Sequence, residues 1–158
     1  MNFGPDHYVP VLKVKRGEKK ALSLLSSPVK ACTTPLLEIV ERKDPKTLDE
    51  HLDTSFNGLD EGVQGFSRYF VDAQEISESG ENGARSVFER AASLGIPFTP
   101  VTSISRTVDI APALDYRAAG TAIRVSRSEF ETGLLRQELV RFISDHSLTP
   151  NEVDLILD

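Results

Sequence analysis

Hydrophobic residues in this 158-residue chain fall in short runs, and most runs are followed by a stretch of helical periodicity. Runs of β-branched, aromatic and aliphatic residues are typical of strands, whereas apolar residues three and four positions apart are typical of helices. The pattern predicts six strands, over residues 8–14, 34–40, 68–73, 98–104, 121–126 and 153–158. It predicts five helices, over residues 17–26, 47–57, 84–94, 107–119 and from 128 to about 143.

The second run, Thr34-Pro35-Leu36-Leu37-Glu38-Ile39-Val40, is almost continuously apolar. Such a run predicts a strand that is buried on both faces of a parallel sheet. An ionised carboxylate in that setting costs several kcal/mol unless it is paired or reaches water. Glu38 therefore marks either the mouth of a cavity or a position with a cationic partner.

Local signals place the ends of the helices. Thr47 with Glu50, and Ser128 with Glu131, have the spacing of a capping box. Pro112 is compatible with a helix only near its first turn. The polar residues 77–83 indicate a connection that is either an ordinary solvated loop or a mobile lid.

Strand and helix alternate about every 25 to 35 residues, which is the size of a βα unit and predicts parallel strands. A doubly wound dinucleotide-binding sheet needs a glycine-rich turn after the first strand, where this chain offers only Gly17. A complete (β/α)8 barrel needs eight units and about 250 residues. We therefore predict an α/β fold: a partial, TIM-barrel-like structure of about six parallel strands and five helices. A single domain over residues 1–158 would form this incomplete barrel.

Charged residues recur late in the predicted strands. In a barrel these ends meet at one mouth, where catalytic residues collect. The residues concerned are Lys13, Lys15, Glu38, Asp72, Arg124 and Asp158, with Thr102 or Ser103 as weaker candidates.

Two interpretations of these charges stay open. In the first they form a site, where Glu38, Asp72 and Asp158 are candidate catalytic carboxylates for acid–base chemistry or for a divalent metal. Lys13, Lys15 and Arg124 would then bind a phosphate or carboxylate. In the second, the charges neutralise one another as structural ion pairs, for example Arg124 with Glu38 or Asp72. The pattern identifies no particular metal or cofactor.

The composition of the chain limits the classes of partner and the cellular compartment that we expect. A net charge of −6 argues against general nucleic-acid binding. The basic cluster Lys13, Lys15, Arg16, Lys19 and Lys20 is more typical of a solvated helix start than of a binding site. The three histidines lack zinc-ligand spacing. The single cysteine, Cys32, excludes an internal disulfide framework and fits a reducing compartment. Without a companion motif, Cys32 is more typical of a packing residue than of a nucleophile. No signal peptide or membrane-spanning stretch is evident, so we expect a soluble, cytoplasmic protein.

Two motifs resemble the N-terminal part of the beta family proteins of phages and bacteria. They are residues 7–13 with Lys15-Arg16-Gly17-Glu18, and the segment Thr34-Pro35-Leu36-Leu37-Glu38-Ile39. Weaker similarity covers Phe70-Val71-Asp72, Ala122-Ile123-Arg124-Val125 and residues 153–158. The resemblance implies a barrel-like fold and a phage or mobile-element setting, and it transfers no catalytic residue. Members of that family are longer, which implies a further C-terminal half.

Two functional hypotheses follow. The first is an enzyme or ligand-binding barrel whose charged pocket binds or acts on an anionic or phosphorylated small molecule. The second is a non-catalytic protein-interaction module in phage–host conflict. An incomplete barrel exposes backbone groups and apolar surface at its edges. The expected partner is therefore a second copy of the chain or a missing C-terminal half.

Overall fold

A computed structural model describes residues 3–43 and 45–158, without the side chains of residues 77–79 and 81. It contains one parallel sheet of six strands, paired in chain order from first to last. The strands are β1 (Val11–Lys13), β2 (Leu36–Glu38), β3 (Tyr69–Asp72), β4 (Phe98–Thr102), β5 (Thr121–Val125) and β6 (Val153–Leu157). The predicted α/β, partial-barrel fold is confirmed.

The sheet is curled into half a barrel, and two ion pairs demonstrate the curl. Arg124 on β5 binds Glu38 on β2, and Arg68 just before β3 binds Asp154 on β6. Each pair bridges three strand spacings, about 14 Å across a flat sheet. Hydrogen bonds of 2.7 Å over that span require the inner face to be concave.

The described helices are more numerous than predicted, eight instead of five. They are α1 (Arg16–Ser23), α2 (Ser27–Ala31), α3 (Leu48–Phe56), α4 (Leu59–Val63), α5 (Glu81–Ser93), α6 (Thr107–Asp115), α7 (Arg127–Glu131) and α8 (Leu135–Asp145). The prediction was wrong because the three extra helices are about one turn long. A five-residue helix is too short to show a 3.6-residue period.

Three local predictions need correction. The capping box at the start of α7 is formed by Ser126 and Glu129, not by Ser128 and Glu131. Pro112 lies in the interior of α6, not in its first turn. The connection predicted over residues 77–83 is mostly helical, because a 3₁₀ helix covers Gln74–Ser79 and α5 follows it. The predicted box of Thr47 and Glu50 is confirmed at the start of α3.

Alternation along the strands sorts the core into an outer and an inner layer. Outward residues such as Leu37, Tyr69 and Val71 pack against the helices in the main hydrophobic cluster. Inward residues form a second buried cluster on the concave face: Leu36, Phe70, Val101 and Ala122. Residues two positions further along β2, β3 and β5 also point inward, so their side chains project at the barrel mouth.

The opposite end of the half-barrel is closed by Arg68. Its guanidinium binds Asp154 through two hydrogen bonds of 2.7 and 3.2 Å. It also lies 5.3 Å from the ring centre of Phe3 and 5.1 Å from that of Phe70. Paired charges and aromatic rings thus fill the base, and the mouth is the open end.

The start of β5 depends on Gly120. This residue has a positive φ of 89°, a conformation that side-chain-bearing residues rarely adopt. A Cβ atom at this position would lie 2.9 Å from the backbone oxygen of Glu152. Glycine therefore allows the chain to enter β5 close beside the segment that leads into β6.

The two outer strands leave apolar residues in solvent. On β1, Val11 is half exposed, and on β6 the exposed fractions of Leu155 and Leu157 are 48% and 64%. No strand among the described residues pairs with the outer side of β1 or β6. None of the described helices has the length and apolar character needed to cross a bilayer.

Candidate functional site

The barrel mouth brings together four of the residues that the strand ends suggested. Glu38 is the last residue of β2, Asp72 is the last of β3, Arg124 is the fourth of β5, and Asp158 follows β6. Because all six strands are parallel, their C-terminal ends share one edge of the curled sheet. The four side chains meet on its concave face.

Arg124 is the centre of this group. Its Nη1 donates hydrogen bonds to Oε1 of Glu38 at 2.7 Å and to Oδ2 of Asp72 at 2.9 Å. Its Nη2 lies 2.7 Å from Oδ2 of Asp158, to which Nε also donates at 3.0 Å. Burial alone would lower the pKa of Arg124, but the hydrogen bonds to Glu38 and Asp72 outweigh that effect and raise it. The guanidinium is therefore a permanent cation with three carboxylate partners.

Asp72 connects Arg124 to a second guanidinium, that of Arg106. Oδ1 of Asp72 accepts hydrogen bonds from Nη1 of Arg106 at 2.6 Å and from the backbone amide of Gln74 at 3.0 Å. Nη1 of Arg106 also lies 3.3 Å from Oδ2 of the buried Asp109. The Asp72 side chain is only 1% exposed. It is thus a buried anion that needs both arginines as counter-charges.

Sequence reasoning missed Arg106, which follows β4 in the loop before α6. The only available signal was its place after a strand end. Of the weaker strand-four candidates, Ser103 accepts a hydrogen bond from the backbone amide of Arg106 at 3.1 Å. Thr102 is fully buried, and its hydroxyl has no hydrogen-bond partner among the described residues. Neither of them lines the cavity described next.

A cavity of about 600 Å³ lies beside this ion network, over the ends of β1 and β2. Glu38 is the member of the network that lines it. The other acidic lining residues are Glu41 and Glu75, and the cationic ones are Lys13, Lys15, Arg16, Lys19, Lys43 and Lys46. The cavity wall therefore carries more cations than carboxylates, although the chain as a whole is acidic.

Lys13 shows why some of these cations remain uncompensated. It is the register partner of Glu38 on the neighbouring strand, so the two residues are adjacent at the mouth. Glu38 nevertheless pairs with Arg124. In the described part of the chain, the side chains of Lys13, Lys15, Arg16 and Lys43 form no hydrogen bond or ion pair. Four positive charges thus face the cavity without a protein partner.

Two cations of the cavity wall have structural partners instead. Nζ of Lys19 donates to the backbone oxygens of Thr54, Ser55 and Asn57 at the end of α3, at 2.7 to 3.2 Å. Partial burial lowers the pKa of Lys19. Nζ of Lys46 donates to Oγ1 of Thr54 at 3.1 Å. These contacts fix α1 and the β2–α3 connection against α3, and so they shape the cavity.

The basic cluster, His51 and Cys32 occupy different environments. Lys13, Lys15, Arg16 and Lys19 line the cavity, whereas Lys20 does not. His51 also lines it, with Nε2 2.8 Å from the backbone oxygen of Val40. The sequence predicts that Cys32 is a packing residue rather than a nucleophile, but its side chain is exposed. Among the described residues, no group of three or more His, Cys, Asp or Glu side chains could hold a metal ion.

Comparison with known proteins gives one family match. A family model described as Beta protein matches residues 8–158, nearly the whole chain. Neither the curated proteins nor the solved structures yield a match. The matched region includes all six strands, the mouth residues and the cavity.

Proposed function

The chain belongs to the Beta protein family, and we propose that it binds an anionic, phosphorylated small molecule in the cavity beside Glu38. The observation that carries this proposal is a group of cations around one concave surface that have no ion-pair partner among the described residues: Lys13, Lys15, Arg16 and Lys43. Like charges held near each other in a cleft repel, and an anionic ligand relieves that repulsion. A volume of about 600 Å³ is in the usual range for small-molecule sites.

Each residue of the mouth receives a role in this proposal. Lys13 and Lys15 bind the anionic group of the ligand. Glu38 faces the ligand and is the candidate for acid–base chemistry, because it lines the cavity and its second oxygen, Oε2, has no hydrogen-bond partner among the described residues. Arg124 holds Glu38 in place and adds positive charge behind it. Asp72 and Asp158 act through Arg124, as positioning residues.

We expect the double variant Lys13→Met/Lys15→Met to lose stabilisation by phosphorylated ligands. A ligand at 100 times its Kd stabilises a protein by about 2.7 kcal/mol, which raises the Tm of a chain of this size by about 5–10 °C. Differential scanning fluorimetry with a panel of sugar phosphates and nucleotides measures this shift. The double variant should show less than about one third of the wild-type shift, because two charge-assisted contacts are gone.

The control is Lys20→Met, which removes one positive charge from the neighbouring helix α1, outside the cavity. It should keep the wild-type shift. If phosphorylated ligands shift wild type and the double variant equally, binding occurs elsewhere and the proposal is wrong. If no anionic compound shifts the wild-type Tm, the cavity is not a binding site for such ligands.

The exposed edge of the sheet favours a second candidate, a non-catalytic protein-interaction module. Leu155 and Leu157 form an apolar strip on β6, and β6 presents a free backbone edge. Free edges with apolar side chains are templates for pairing with another chain. We propose a second copy as the partner, with two β6 strands antiparallel about a two-fold axis, because such an interface is self-complementary.

The second candidate predicts a concentration-dependent dimer. Light scattering after size-exclusion chromatography should show dimers at about 100 μM protein, and Leu157→Lys should return the chain to a monomer because it places a charged side chain on the pairing edge. Val140→Lys, an equally exposed position on α8, should leave the dimer intact. A wild-type monomer at the highest soluble concentration would rule out this pairing.

A further inference from the structure

The cations of the cavity come from two separate chain segments. Lys13, Lys15 and Arg16 belong to the connection between β1 and α1. Lys43 and Lys46 belong to the connection between β2 and α3. Because both connections follow parallel strands, they rise from the same edge of the sheet and line the same cavity. We call them the first and the second cationic wall.

Each wall carries at least one cation whose side chain forms no hydrogen bond or ion pair within the described part of the chain. In the first wall these are Lys13, Lys15 and Arg16, and in the second wall Lys43. Lys46 is restrained by its hydrogen bond to Thr54, and Arg42 donates to the backbone oxygen of Lys46 at 2.8 Å. The second wall is therefore tied to α3 and to itself, so Lys43 projects from an anchored connection.

The acidic residues of the cavity compensate only part of this charge. Glu38 is already paired with Arg124. Glu41 and Glu75 line the cavity and have no ion-pair partner among the described residues. Lys19 and Lys46 keep their charges, because they donate only to neutral oxygens. Six cations against the two carboxylates other than Glu38 leave an excess of four positive charges along the cavity wall. A ligand that matches the site must carry at least two negative charges, and it must present them to both walls.

We propose that the ligand is a diphosphate ester, whose two phosphoryl groups bind one to each wall. This inference rests on the proposed function and specifies its ligand class. Two linked phosphoryl groups offer a separate anion to each connection, whereas inorganic phosphate offers one anion to both. Val14, Val40 and Pro45 supply apolar surface for the organic part. Glu38 lies where it can accept a hydrogen bond from a hydroxyl group of that part.

The test compares inorganic phosphate with inorganic pyrophosphate. Both ligands carry phosphoryl oxygens, but only pyrophosphate has two phosphoryl groups, one for each wall. Binding is followed by NMR titration at matched ionic strength, with wild type, Lys13→Met, Lys43→Met and Lys20→Met. Pyrophosphate should bind wild type at least about tenfold more tightly than phosphate does. Lys43→Met should remove most of that advantage and leave phosphate binding nearly unchanged. Lys13→Met should weaken both ligands about tenfold, and Lys20→Met should change neither.

The outcomes separate this inference from the proposed function. If phosphate and pyrophosphate bind equally and Lys43→Met affects neither, the cavity holds a single anionic group: the ligand class is wrong and the proposed function survives. If neither anion binds wild type, both are overturned. All three substituted lysines are exposed, so the variants should fold. A Tm equal to that of wild type, measured for each variant without ligand, verifies this.

Discussion

Replacing Arg124 by methionine should lower the free energy of unfolding by about 3–5 kcal/mol. The substitution removes the shared partner of Glu38, Asp72 and Asp158, and it leaves the buried Asp72 with Arg106 as its remaining cation. Breaking a buried ion pair by removing one partner costs this much because the remaining charge is desolvated without compensation. Urea denaturation measured by circular dichroism gives the value.

Two further variants locate the origin of that loss. Arg127→Met removes an exposed arginine that pairs with Glu131 on the surface, and it should change stability by less than about 0.5 kcal/mol. Arg124→Lys keeps the positive charge but lacks the planar guanidinium that binds three carboxylates. Its free energy of unfolding should therefore fall between those of wild type and Arg124→Met. A loss below about 1 kcal/mol for Arg124→Met would show that the network contributes little to the fold.

Gly120→Ala should destabilise the protein by about 2–4 kcal/mol. An alanine there must adopt a positive φ, which costs on the order of 1–3 kcal/mol. Its Cβ would also lie 2.9 Å from the backbone oxygen of Glu152, and no change of rotamer relieves a contact between Cβ and backbone. Thermal unfolding should show a Tm lower by several degrees.

Gly17→Ala is the matched control for this glycine. Gly17 lies in α1, and a Cβ atom there would meet no atom within 4 Å. Alanine has a higher helix propensity than glycine, so this variant should be more stable by about 0.5–1 kcal/mol. Equal effects of the two substitutions would mean that the close approach between β5 and the segment before β6 is not rigid.

The strands and the mouth residues could be predicted because two simple rules generate them. Short apolar runs mark buried strands, and strand–helix alternation makes the strands parallel. Parallel strands place their ends together, so Glu38, Asp72, Arg124 and Asp158 could be grouped from sequence positions alone. Which of them bind each other depends on the curl of the sheet. No local pattern encodes this curl.

Other features depend on contacts that are remote in sequence. The segment from Ser126 to Glu131 contains two overlapping Ser-x-x-Glu motifs, so spacing alone cannot choose between them. Ser105 on the preceding connection donates to Glu129 at 2.8 Å, which favours the first motif. That hydrogen bond and those from Ser126 lower the pKa of Glu129, although burial alone would raise it. Similarly, only the fold brings Lys43 and Lys13 to the same cavity.

The exposed cations of the two cationic walls are suited to binding a ligand, and the buried ion network is suited to holding residues in place. Exposed lysines exchange water for a ligand at low cost, whereas the desolvated Arg124 and Asp72 would lose their mutual pairing if a ligand displaced either of them. Glu38 belongs to both environments, with one oxygen bound to Arg124 and its side chain lining the cavity. From this division we infer that the cations of the two walls bind the ligand, while Arg124 fixes the position of Glu38.

The two ion pairs that demonstrate the curl, Arg124 with Glu38 and Arg68 with Asp154, each join residues 86 positions apart. Contacts of such long sequence separation form late in folding, because the loop between them must first be closed at an entropic cost. The pair of Arg68 and Asp154 forms only after β6 has been synthesised, because Asp154 lies on that strand. The concave surface therefore takes its final shape only after β5 and β6 have been synthesised.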